Sequence, residues 1–258
     1  MKRILTLVML LMIAEVAQSA PRILVSSYLV PDWNSTTNRF TIGLDHLKTA
    51  GLLVEQSQAK ITELRLDDFQ TLWLVIDPAR SNRFDADDVT RIETFVRGGG
   101  GLLIAIGATE TQKQGEAIRP LLRRFHIAVN GRAVPAKVQR LTIPLLEGLR
   151  FYSPATPLLD LSEDAFRELI LVPNNLKQTP LKTSQPDAPG LRIILGLMDR
   201  GHVALVAGDG SFDNVALSHS RDKTLPEHDN LEIFLRLVQW LSRARLTRPP
   251  TLLDEAAE

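Results

Sequence analysis

The chain has 258 residues, 44% of them hydrophobic, with 30 basic and 30 acidic side chains that cancel and no cysteine. The even charge, without any long block of like residues, leaves no electrostatic footprint for nucleic acid or an anionic membrane surface. The missing thiol excludes disulfides, a thiolate metal site, a cysteine-linked lipid anchor and a cysteine nucleophile.

The first residues, "MKRILTLVMLLMIAEVAQSA", follow the pattern of a cleavable secretory signal. Lys2 and Arg3 make a basic start, an apolar core runs from Ile4 to Ala14, and small residues follow. The apolar run stops at Glu15, short of the roughly 20 residues that a membrane-spanning helix needs. Cleavage is expected after Ser19 or Ala20, which predicts a periplasmic or secreted protein. The expected division is a signal over 1–20, one α/β domain over 21–246 and a flexible tail over 247–258.

Within the domain, "RILVSS" reads as a buried first strand and "PDWNSTTNRF" as a polar loop. Phe40, Leu44 and Leu47 then recur at helical spacing up to a C-capping Gly51. "LLVEQS" is the second strand. In the third, "FQTLWLVIDP", an apolar run from Leu72 to Ile76 predicts burial on both faces, as in a parallel sheet. Asp85 is the expected N-cap of a helix that carries Val89, Ile92, Phe95 and Val96 on one stripe. "GLLIAIGA" is the next buried strand and "GEAIRPLLRRFHI" the next helix, with Pro120 in its first turns or at a kink. On that helix Arg119, Arg123 and Arg124 read as a solvated face.

Eight of the chain's 15 prolines fall between about 130 and 190, a region of short strands and turns that reads as an insertion. Two strands follow, Arg192 to Met198 and His202 to Ala207, joined by "DRG" as a hairpin. The last helix starts on Asp229 or Asn230 and aligns Leu231, Phe234, Leu235, Val238 and Leu241. Strands alternating with helices predict a flavodoxin-like, doubly wound α/β fold. Its sheet is mostly parallel with helices on both faces, an antiparallel C-terminal edge hairpin and a Pro-rich insertion.

The run "VRGGGGLLIAIGATE" invites comparison with a phosphate loop, but the order is reversed. A Walker loop leads from strand to helix and ends in Gly-Lys-Ser/Thr, whereas here a helix leads through glycines into a strand. The expected roles are a left-handed helix C-cap and close packing on the sheet.

The segment "LWLVIDPARSNRFDADDVTRIETFVRGGGGLLIAIGA" resembles the core of the class I glutamine amidotransferase-like superfamily. The resemblance is to the branch of domain-of-unknown-function and gliding-motility-associated proteins. Near the C-terminus the matching residues are Gly208, Asp209, Phe212 and Asn214, then Asp229, Asn230, Phe234, Trp240 and Leu241. The resemblance implies that a catalytic member would carry a cysteine on a sharp elbow after the strand "LLIAIG", with a histidine and a glutamate supplied later. Here the elbow falls at Gly107, Ala108 and Thr109, and the thiol is missing. Thr109 or Ser26 would be the hydroxyl substitutes, each needing a base.

A second candidate is the loop from Gly208 to Asn230, which gathers Asp209, Asp213, His219, Asp222, His228 and Asp229 beyond a strand end. These side chains suit a hard or borderline divalent ion, yet their spacing matches neither a calcium loop nor His-Glu-x-x-His, and no metal or cofactor is predicted. The alternative reading makes Asp209 and Asp213 turn formers, Asp229 a helix cap, and His219 and His228 exposed loop residues. Asp77, at the end of the third strand, either faces a ligand or accepts backbone N–H groups. Tyr28 and Trp33 either stack on a sugar or simply pack.

Two functions follow as expectations. One is an exported, non-catalytic binding or scaffolding module with another envelope protein as partner. The other is a secreted hydrolase acting on carbohydrate, with Asp77, the 208–214 loop and the "SSYLVPDW" loop sharing a pocket. A sensor with the insertion as its lid is a third possibility.

Overall fold

In a computed structural model of the chain, the described residues are 20–29, 33–75, 83–106, 111–125, 127–134, 137–141, 144–153, 156–161, 170–171, 193–218 and 227–243. The elements that build the core are β1 (Arg22–Ser26), α1 (Trp33–Thr49), β2 (Leu53–Ser57), β3 (Thr71–Leu74), α2 (Ala86–Arg97), β4 (Gly101–Ile106) and α3 (Thr111–Arg124). Strands β5 (Ile127–Val134), β6 (Lys137–Arg140), β7 (Arg150–Ser153), β8 (Thr156–Leu161) and β9 (Ile170–Leu171) come next. The hairpin β10 (Ile193–Met198) and β11 (Gly201–Ala207), the short α4 (Asn214–Leu217) and α5 (Asn230–Ser242) complete the order.

The main sheet runs β2-β1-β3-β4-β11-β10-β9. Its first five strands are parallel, β10 is antiparallel to β11, and the two-residue β9 flanks β10. The parallel part has the flavodoxin-like order, which reverses direction between β1 and β3. The expected hairpin thus sits at one end of the sheet, and the insertion supplies two small antiparallel pairs, β5 with β8 and β6 with β7.

Side-chain alternation along the central strands splits the core in two. Leu24, Leu72, Leu74, Ile104 and Leu205 face α2 and α3. Ile23, Val25, Trp73, Leu103 and Val206 face α1 and α5, where the β6–β7 hairpin adds Phe151. Trp73 is the hub of this second layer, edge-on to Phe40 at 5.5 Å and tilted against Phe234 at 5.2 Å. Burial of β3 on both faces follows the continuous apolar run that predicts it.

Two helix starts differ from the sequence expectation. Helix α1 begins at Trp33, inside the stretch that reads as loop, so Trp33 lies on the helix rather than before it. Asn, Ser and Thr have weak helix propensity because their side chains compete for backbone bonds, and the packed Phe40–Leu44–Leu47 stripe overrides that preference. Helix α3 begins at Thr111, which places Pro120 in the helix interior and not in its first turns. Pro120 is exposed there, while Ile118, Leu121 and Leu122 turn inward.

The glycine run closes α2. Asp85 opens that helix with a complete capping box, its carboxylate accepting the Asp87 and Asp88 N–H groups while Asp88 answers the Asp85 N–H. At the other end, Gly99 adopts φ 116°, with its N–H on the Val96 carbonyl and the Gly100 N–H on the Phe95 carbonyl, a Schellman pairing. Gly100 and Gly101 are required for space. A Cβ on Gly100 would lie 2.3 Å from the Phe95 ring, and one on Gly101 would lie 2.4 Å from the Leu241 carbonyl oxygen.

Candidate functional site

In an open parallel sheet, ligands meet the carboxyl ends of the strands, above all where the strand order reverses. That place is the end of β1 beside β3. The Ser26 carbonyl accepts the Val75 N–H at 3.0 Å, and Ser27 sends both its N–H and its hydroxyl to the Ser57 carbonyl, at 2.9 and 3.3 Å. The Ser26 hydroxyl is buried and bonds nothing. Tyr28 lies near-parallel to Phe84, with ring centroids 6.3 Å apart, so its ring is in aromatic packing. Asp77 and Thr109 lie outside the described residues, as do Gly107 and Ala108, so the proposed elbow and any Asp77 pocket are not placed.

Beyond β11 the chain turns at Gly208, whose φ of 111° favours glycine and whose N–H bonds the Ile106 carbonyl at 2.6 Å. Asp209 opens the 3-10 turn Asp209–Phe212. Phe212 is fully buried against Phe234, with centroids 5.2 Å apart. Asp213 N-caps α4 by accepting the Ala216 N–H at 3.0 Å, which is the turn-forming role. Asn214 reaches back to α1, its Oδ1 accepting the Ile42 N–H at 2.9 Å.

His228 departs from the exposed-loop expectation. It is only 5% exposed, its Nε2 lies 2.8 Å from the Ala216 carbonyl oxygen, and its ring stands edge-on to Tyr152 at 5.3 Å. Asp229 does occupy the N-cap position of α5 but makes no side-chain cap bond. Its carboxylate instead accepts the Arg150 N–H at 2.7 Å and the Arg150 guanidinium at 3.3 Å, while its own N–H bonds the Arg150 carbonyl at 2.7 Å. Burial would raise the Asp229 carboxyl, but the Arg150 hydrogen bonds outweigh it and hold the group below the ordinary carboxylate range.

Asn230 completes the joint. Its Oδ1 accepts the Tyr152 N–H, and its Nδ2 donates to the carbonyls of Tyr152 and Ser211, all at 2.8 Å. One side-chain amide thereby extends the β7 ladder and fixes the turn after β11. The sequence reading missed Arg150 and Tyr152, whose partners lie 79 and 78 positions away, and Ser211, 19 positions from Asn230, because contacts across such separations leave no local signal. His219 and Asp222 lie outside the described residues. Among the described residues no group of three or more His, Asp or Glu side chains is placed to hold a metal ion. The part of the Gly208–Asn230 loop that is described acts as a clamp joining α1, β7, α4 and α5.

No family model and no curated protein sequence matches the chain. Among solved structures, the N-terminal domain of mmIFT52 is similar at TM-score 0.59 and 16% identity, over 88% of this chain and 100% of that one. Gan42B, a GH42 β-galactosidase from G. stearothermophilus, matches at TM-score 0.51 and 10% identity over 89% of this chain. The match spans 31% of that enzyme's chain. A ThuA-like protein from Bacteroides uniformis matches at TM-score 0.46 and 12% identity, over 86% and 92% of the two chains. At such identities the first two likenesses establish a shared α/β fold.

Proposed function

We propose that the protein is an exported binding or scaffolding module of the cell envelope, on an amidotransferase-like sheet that has lost its nucleophile. The observation that carries this reading is the commitment of Asp213, His228 and Asp229 to hydrogen bonds that hold the fold together. A base or nucleophile must be able to exchange its proton with a substrate, and a group bonded into a helix cap or a buried backbone contact is already spent. The absence of any cysteine points the same way. Export rests on the basic–apolar–small pattern of residues 1–20.

Fractionation with N-terminal sequencing and photo-crosslinking tests the reading. A mature chain beginning at Ala20 or Pro21 outside the cytoplasm, cross-linked to an envelope protein, is the expected result. An unprocessed cytoplasmic chain would overturn export. Turnover of glutamine or of a glycoside by the pure protein would overturn the non-catalytic reading.

A further inference from the structure

We infer that His202 is a proton-sensitive latch: its neutral ring, stacked on Trp240, holds the last turn of α5 on the sheet, and protonation releases that turn. His202 is the second residue of β11 and shares a strand face with Ala204 and Val206, which pack beneath α5. Its ring lies 4.4 Å from the Trp240 ring, with 24° between the planes. The Trp240 backbone acts weakly in favour of the charged ring, less than burial and Arg243 act against it. Its Nδ1 is buried and has no hydrogen-bond partner.

A neutral imidazole tolerates this position, because Nδ1 then presents only a lone pair. The protonated ring would place an N–H there with nothing to accept it. The neighbouring charge has the wrong sign as well. Arg243, which ends α5 in the left-handed region at φ 53°, is the charged group facing the ring from that helix. The partners in register on either side are Gly101 of β4 and Leu197 of β10, neither of them charged, and among the described residues no carboxylate acts on the ring. Burial first, and Arg243 second, hold the imidazole below its ordinary range.

The last turn of α5 has little room to adjust around a displaced ring. The Leu241 carbonyl lies directly over Gly101, too close for any added Cβ. A ring forced to rotate therefore takes the turn with it. The fold prefers neutral His202, so its contribution is complete above the ordinary histidine pKa of about 6.5 and is lost as pH falls below that value.

The test is amide hydrogen exchange on the full chain at pH 7.5 and 5.5, corrected for the intrinsic pH dependence of exchange, with the His202 ring followed by NMR. In the wild type, the amides of Leu241 and Ser242 are expected to lose about tenfold in protection on acidification while those from Phe234 to Leu237 keep theirs. In His202→Gln the protection of the last turn is expected not to depend on pH. Should that variant fail to fold, His202→Phe keeps a stacked ring without a titrating nitrogen and serves the same comparison. Equal wild-type protection at both pH values, or the same acid-induced loss in the variant, would overturn the latch.

Discussion

The two ends of the central sheet are joined to their surroundings in different ways. At the amino ends of β4 and β11 backbone lies on backbone: Gly101 meets the Leu241 carbonyl, and a Cβ on Gly201 would lie 1.9 Å from the Val96 carbonyl oxygen. At the carboxyl ends polar side chains do the joining, through Asp213, Asn214, His228, Asp229 and Asn230. The first end specifies an absence of side chain and the second a set of hydrogen bonds. Glycine-rich and carboxylate-rich stretches that resemble ligand sites in sequence thus share a structural use, by opposite means.

Substitutions should separate the two modes. Gly201→Ala is expected to be the most damaging, lowering stability by about 3 kcal/mol or more in urea titration, because the obstructing atoms are backbone and cannot rotate away. Gly148→Ala is its control. Gly148 has positive φ, at 82°, which Gly201 does not, but open space around it, so the cost should stay near 1 kcal/mol. A loss at Gly201 no larger than that at Gly148 would remove the backbone contact as the reason for glycine there.

Asn230→Ala should follow at about 2 to 3 kcal/mol, since it leaves the Tyr152 N–H and two carbonyls without their partner. A loss well under 1 kcal/mol in the same titration would show that water replaces the amide and that the clamp is weak.

Asp229→Asn should have a smaller effect, and one that depends on pH. The folded-state pKa of Asp229 is depressed, so its contribution is present above the ordinary carboxylate value of about 3.9 and is lost as pH falls toward the folded value. The stability gap between wild type and variant should therefore narrow between pH 5 and pH 3, measured as the shift in urea midpoint. A gap that stays constant would remove the ionic part of the Arg150 contact. The smallest effect is expected at the reversal point, where Ser26→Ala deletes an unpartnered buried hydroxyl and should raise stability by up to about 1 kcal/mol. A loss of that size would reveal a partner for this hydroxyl.

The sequence by itself determined the order of the strands and helices outside the insertion and α4, the two-faced burial of β3, the capping of α2 by Asp85 and the left-handed stop at the glycine run. These are local consequences of periodicity and of backbone conformation, and they are written in consecutive residues. It did not determine where α1 begins, because weak local propensity is overridden by packing on Trp73 and Phe234. The motif Gly208, Phe212, Asn214, Asp229 and Asn230 was legible as a mark of the fold, but its physical role was not. Asp229 could be read as a helix cap, and only the arrival of Arg150 from 79 residues away turns its carboxylate aside. His228 could be read as exposed, and only Tyr152 and the Ala216 carbonyl bury it. Partners that meet across long sequence separations are chosen by the packing of whole elements, which is why the tertiary structure alone decides them.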